Sequence, residues 1–129
     1  MAIGDIHGSA APTELLINAL SNRHIFESVD VIVTEFGNSH YQPELDDYLL
    51  NPNTKVSLQE LEPLWQDSIY FMAWQYRHYR HFVQKLRLLN ASSNHKVRIA
   101  LAEPEFKWEG LSKEQWQSLT KTRIVNYEK

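Results

Sequence analysis

The sequence predicts an α/β fold, an open parallel sheet of about three strands flanked by helices. Three observations predict it. Val29-Asp30-Val31-Ile32-Val33-Thr34-Glu35-Phe36 is a β-branched, mostly apolar run, the composition that packs well on a pleated surface. Val97-Arg98-Ile99-Ala100-Leu101-Ala102-Glu103 is a second such run, closed by Pro104. Between and before these runs, apolar residues recur at helical rather than alternating spacing.

The elements follow in order. Met1-Ala2-Ile3 is a short first strand that leads directly into Gly4-Asp5. Ser9 or Thr13 caps a first helix, with Pro12 in its first turn and Leu16, Ala19, Leu20 and Arg23 on one stripe. Strand, helix and strand within about 35 residues form a βαβ unit with a right-handed crossover. Gly37-Asn38 ends the second strand. A short helix covers residues 43–50 and stops at Asn51-Pro52-Asn53. Ser57-Leu58-Gln59-Glu60 is a capping box opening another short helix through Leu61, Leu64 and Trp65. Ile69, Met72, Tyr76, Tyr79, Val83 and Leu86 form one apolar stripe on a long helix from about 68 to 89, ended by Asn90. Ser112 caps a last helix containing Trp116 and Leu119, and Ile124-Val125-Asn126-Tyr127 begins a fourth strand. The 129 residues are one α/β domain or the N-terminal part of a larger one.

Composition narrows the function classes. A net charge of −3 gives no global case for nucleic-acid binding. Nine acids and one base lie between Glu27 and Asp67, and six bases without an acid lie between Arg77 and Arg98. Two solvated faces that complement each other inside the fold are the favoured reading, and a polyanion-binding patch is the alternative. The absence of cysteine excludes disulfides and thiolate chemistry. No apolar stretch reaches membrane-spanning length, and no signal-peptide pattern opens the chain. The expectation is a cytoplasmic protein acting on a small molecule, with its open sheet edge available to a second copy.

Ligands of open parallel sheets bind beyond the carboxyl ends of the strands. Each expected strand ends in an acid: Asp5, Glu35 and Glu103. Three carboxylates at one rim repel each other unless a cation, a metal or a bound proton offsets them. Asp5 and His7 stand two apart in an extended loop and so project to the same side. They can share a divalent metal, or Asp5 can orient His7 as a general base. Gly4 and Gly8 let that loop turn sharply. Glu35, in an apolar strand, needs a partner such as Arg87 or a catalytic use. Asn38, His40 and Gln42 follow on the next loop, with Asn38 and Gln42 as substrate-binding candidates beside Arg87. His78 and His81 are read as a polar helix face.

Gly4-Asp5-Ile6-His7-Gly8 resembles the opening motif of calcineurin-like metallophosphoesterases, whose Asp and His hold a metal. The second aspartate motif of that family is missing, and Gly37-Asn38-Ser39-His40 is an imperfect echo of its later Gly-Asn-His-Glu. A longer resemblance runs through Val33-Thr34-Glu35-Phe36-Gly37-Asn38-Ser39-His40-Tyr41-Gln42, Leu64-Trp65, Arg87-Leu88-Leu89-Asn90 and Glu103-Pro104 with Trp108. These segments look like a group of uncharacterised bacterial proteins similar to the erythromycin esterase, ChaN and Tiki superfamily. Members open with Gly-Glu-x-His-Gly and place a Glu after the second strand, features that fall on Gly4 to Gly8 and on Glu35. Asp5 replaces the usual Glu. The resemblance implies a hydrolase-like site in which Asp5, His7 and Glu35 are catalytic and Asp5 and His7 are metal ligands if a metal is bound; the strand-end position adds Glu103 to the catalytic candidates. A metallophosphoesterase relative, a non-catalytic haem- or metal-binding protein and a degenerate fold member with no site are the alternatives.

Overall fold

The structure, a computed structural model, describes residues 2–4, 9–68, 76–105 and 107–118. Their order is α1 (Ala11–Leu20), α2 (Arg23–Glu27), β1 (Val31–Asn38), a 3₁₀ turn (Ser39–Tyr41), α3 (Gln42–Leu50), α4 (Glu62–Gln66), α5 (Tyr76–Ala91) and β2 (Arg98–Glu103). Residues 113–118 are also helical. The fold is mixed α/β, with β1 and β2 paired in parallel.

Local chemistry explains most boundaries. Pro12 sits in the first turn of α1, where Thr13 Oγ1 donates to the Ala10 carbonyl at 2.8 Å. The expected stripe on this helix stops sooner than Arg23, because the chain turns at Ser21. Asn22 then caps the separate helix α2, and its side chain accepts from His24 N and Ile25 N. The Ser57 capping box closes in both directions: Ser57 N donates to Glu60 at 2.7 Å, and Glu60 N donates to Ser57 Oγ at 3.2 Å. Ser112 and Gln115 repeat that reciprocal pair at 2.8 and 3.2 Å. The Ser112 pair satisfies donors that a helix start leaves open, whereas the Ser57 box closes a turn over residues 58–61 and α4 begins only at Glu62, after Leu61.

The core forms where the apolar faces meet. Leu45 and Leu49 of α3, Leu64 and Trp65 of α4, and Phe82, Val83 and Leu86 of α5 are buried with Ile99 and Leu101 of β2. Phe36 of β1 packs on Tyr79, ring centroids 3.8 Å apart. Asn90 does not end α5 at the surface as its residue type suggests. It is buried, donates to the carbonyls of Leu49 and Val97, and accepts from Val97 N at 2.8 Å. One amide thereby ties the end of α3 to the chain entering β2.

Gln42 and Asp46, one turn apart on α3, cover the outer edge of β2. Gln42 Nε2 donates to the Ile99 carbonyl and its Oε1 accepts from Leu101 N, both at 2.9 Å. Asp46 receives two hydrogen bonds from Arg98, at 2.9 and 2.8 Å. A side-chain amide here fills the place of a neighbouring strand, which protects an edge otherwise open to pairing.

Two strands rather than three are paired among the described residues. Residues 2–4 are exposed and lie outside any strand, consistent with an apolar run too short to bury itself. Residues 5–8, the first seven residues of the long-helix stripe from Ile69 on, and the fourth strand expected near Ile124 fall outside the described residues.

Candidate functional site

β1 and β2 finish side by side, with Asn38 opposite Glu103. The pairing is regular up to Thr34 opposite Leu101 and then breaks, so three residues of β1 span one of β2. Gly37 makes the break feasible. Its φ is +96°, and a Cβ there would meet Leu101 at 2.8 Å and Leu64 at 2.9 Å. Only a residue without a side chain fits both demands. The strand therefore continues through Gly37, which sequence reasoning took as its end.

Asn38 shares the inward count of β1 with Thr34 and Phe36 and is fully buried. Its Oδ1 accepts from His40 N at 3.0 Å and caps the 3₁₀ turn, while its Nδ2 donates to the Asp67 carbonyl at 3.3 Å. Across the sheet, Glu103 is 3% exposed and accepts from the Ser68 hydroxyl at 3.0 Å. Both strand ends thus grip the same short segment, Asp67-Ser68. A carboxylate withdrawn from water needs donors, and Ser68 supplies one.

A ring of polar groups borders this centre. The Tyr41 hydroxyl donates to Asp67 Oδ2. Burial, and then the hydrogen bond to Asp67, push the phenol up to about 12. His40 stands edge-on to the Tyr41 ring, centroids 5.0 Å apart, and its Nδ1 donates to Glu105 at 3.0 Å. Carboxyl, hydroxyl, phenol and imidazole groups from residues 38–41, 67–68 and 103–105 therefore gather where the two strands stop.

Sequence-based expectations divide at this point. Asn38 and Glu103 do come together. Glu35 does not join them: it is exposed, on the face of β1 that carries Val31 and Val33, while Glu103 lies on the core side of β2. Side chains alternate along a strand, and Glu35 falls on the outward count. The expected convergence of strand-end acids therefore reduces to Glu103 among the described residues. Arg87 is not the partner of Glu35; its guanidinium lies 4.4 Å over the Tyr48 ring and donates to the Tyr48 carbonyl. Gln42 has its amide engaged on the β2 edge and on Asp46, so it serves the sheet rather than an open pocket.

Asp5 and His7 lie outside the described residues. Among the described residues, no group of three or more His, Asp or Glu side chains is placed to share a metal ion. Ser68, Tyr41, Asp67 and Glu105 were missed by sequence reasoning. The signal for Asp67-Ser68 was a polar pair set between apolar Trp65 and the long helix, a place that reads equally well as a helix cap. Compared with known proteins, the chain matches no family model, no curated protein and no solved structure.

Proposed function

We propose that the chain carries a hydrolase-like site at the carboxyl ends of its strands, with Glu103 as an acid–base residue. The observation that carries this reading is the burial of Glu103 at a parallel strand end, opposite Asn38 and held by the Ser68 hydroxyl. Carboxylates enclosed at that end of an α/β sheet are the groups such folds use for chemistry. Ser68 is a positioning residue that fixes one carboxyl oxygen. Glu103 then takes the proton of an attacking water and returns it to the leaving group. His7 is the second proton-transfer group and Asp5 its orienting partner, a role that rests on the resemblance to the erythromycin esterase superfamily. Glu35, on the outer face, is assigned no step.

Turnover of p-nitrophenyl acetate and butyrate by the whole chain, with and without added Mn²⁺ or Zn²⁺, tests the proposal. Glu103→Gln and His7→Ala are each expected to lower kcat by about 100-fold or more, with folding checked by circular dichroism. Turnover of p-nitrophenyl phosphate alone would replace the esterase reading with phosphoester hydrolysis. Absence of turnover on every substrate, or substitutions that alter only the melting temperature, would reject catalysis at this site.

A further inference from the structure

We infer that the open depression between α3 and α5 binds a small phosphate monoester through Arg87, Lys85 and His81. The depression has a volume of about 360 Å³ and is lined by Tyr48, His81, Gln84, Lys85, Arg87 and Leu88. That volume suits a small ligand. Among the described residues its lining holds two basic side chains, a histidine, two neutral polar groups and a leucine, and no acid. Helix α5 has no acidic residue along its whole length.

Three observations separate this surface from an ordinary solvated helix face. First, Arg87 is held in place. Its guanidinium is stacked over Tyr48 and one of its nitrogens is bound to the Tyr48 carbonyl. A guanidinium has five N–H donors, so the group is oriented in advance with donors left over for a ligand. Second, the polar side chains beside it are uncommitted. Among the described residues, Lys85 and His81 have no hydrogen-bond or ion-pair partner, whereas Arg80 on the same helix is neutralised by Glu62 at 2.8 Å. Asp47 is the acid whose charge reaches Arg87, and its oxygens are occupied by Thr54 and Asn51. Third, Leu88 projects beside the cations with 61% of its surface exposed. It gives an apolar wall to the body of a ligand whose charged end meets Arg87 and Lys85.

A tetrahedral dianion matches this arrangement better than a carboxylate does. A guanidinium fork takes two of its oxygens, and a third remains for the Lys85 ammonium or a ring N–H of His81. The surface belongs to α3 and α5, not to the strand ends, so it stands or falls independently of the hydrolase reading.

The test is titration of the whole chain with phenyl phosphate, inorganic phosphate and phenol, followed by amide and side-chain NMR shifts. Phenyl phosphate should shift Tyr48, His81, Lys85, Arg87 and Leu88 as one set and bind more tightly than inorganic phosphate, with phenol silent. The double variant His81→Gln, Lys85→Gln alters two exposed side chains and should raise the phenyl phosphate Kd about tenfold or more, a loss of roughly 1.4 kcal/mol. Added salt should weaken binding in the original chain. Absence of binding, shifts spread over unrelated basic residues, or an unchanged Kd in the double variant would overturn the inference. Equal affinity for inorganic phosphate and phenyl phosphate would overturn the apolar half of the ligand assignment.

Discussion

At the residue scale, Gly37 determines the geometry of the strand end. It accepts a positive φ and leaves room for Leu64 and Leu101 in the same place. Gly37→Ala is therefore expected to destabilise the fold by about 2–4 kcal/mol, combining left-handed strain with overpacking. Denaturant unfolding would measure it, and a change below 0.5 kcal/mol would mean the break in strand pairing is not needed. Tyr41 supplies a pH prediction. Its folded pKa is raised to about 12, first by burial and then by Asp67, above an unfolded value near 10. The folded state thus holds this proton more tightly. Its contribution to stability is complete below about pH 10 and is lost as pH rises toward 12. The difference in absorbance titration near 295 nm between the original chain and Tyr41→Phe should place this phenol near 12, and the loss of stability across that interval should be smaller in Tyr41→Phe. A phenol titrating near 10 would contradict the burial assigned to it.

At the scale of elements, α3 serves as an edge guard for β2. Gln42 offers both a donor and an acceptor, in the spacing a strand would provide. Gln42→Ala leaves the Ile99 carbonyl and the Leu101 amide without that partner and is expected to destabilise by about 1–3 kcal/mol. The opposite expectation holds for the outer face of β1. Val33 is 70% exposed there, so Val33→Lys should change stability by less than about 0.5 kcal/mol. A loss of 2 kcal/mol would show that this face is covered in solution. Helices α3 and α5 and both paired strands were legible in the sequence, because period-2 and period-3.6 patterns report burial directly. The break before Asn38 was not, since Gly-Asn after an apolar run signals a turn just as well as a strained strand. Helix α2 was overlooked because its five residues are too short to establish a period.

At the scale of the molecule, the organisation places its polar residues in three distinct settings. Asn90 and Gln42 hold elements together. Arg87, Lys85 and His81 face the α3–α5 depression. Asn38, Ser68 and Glu103 occupy the strand ends. Sequence reasoning identified Glu103 and Asn38 because strand-end position is a linear property of the chain. It placed Glu35 beside them because residue type alone does not reveal which face of a strand points outward. It missed Ser68, since that contact joins residues 35 positions apart and exists only after α4 and β2 pack together.

The central claim is that the enclosed carboxyl group of Glu103 performs proton transfer and is not merely a buried polar contact. Ester turnover by Glu103→Gln, measured on folded protein beside the original chain, tests it most directly. The account predicts measurable hydrolysis in the original chain and a loss of about 100-fold or more in the variant, with the circular dichroism spectrum unchanged. Equal rates in the two proteins, or no hydrolysis by either, would contradict it.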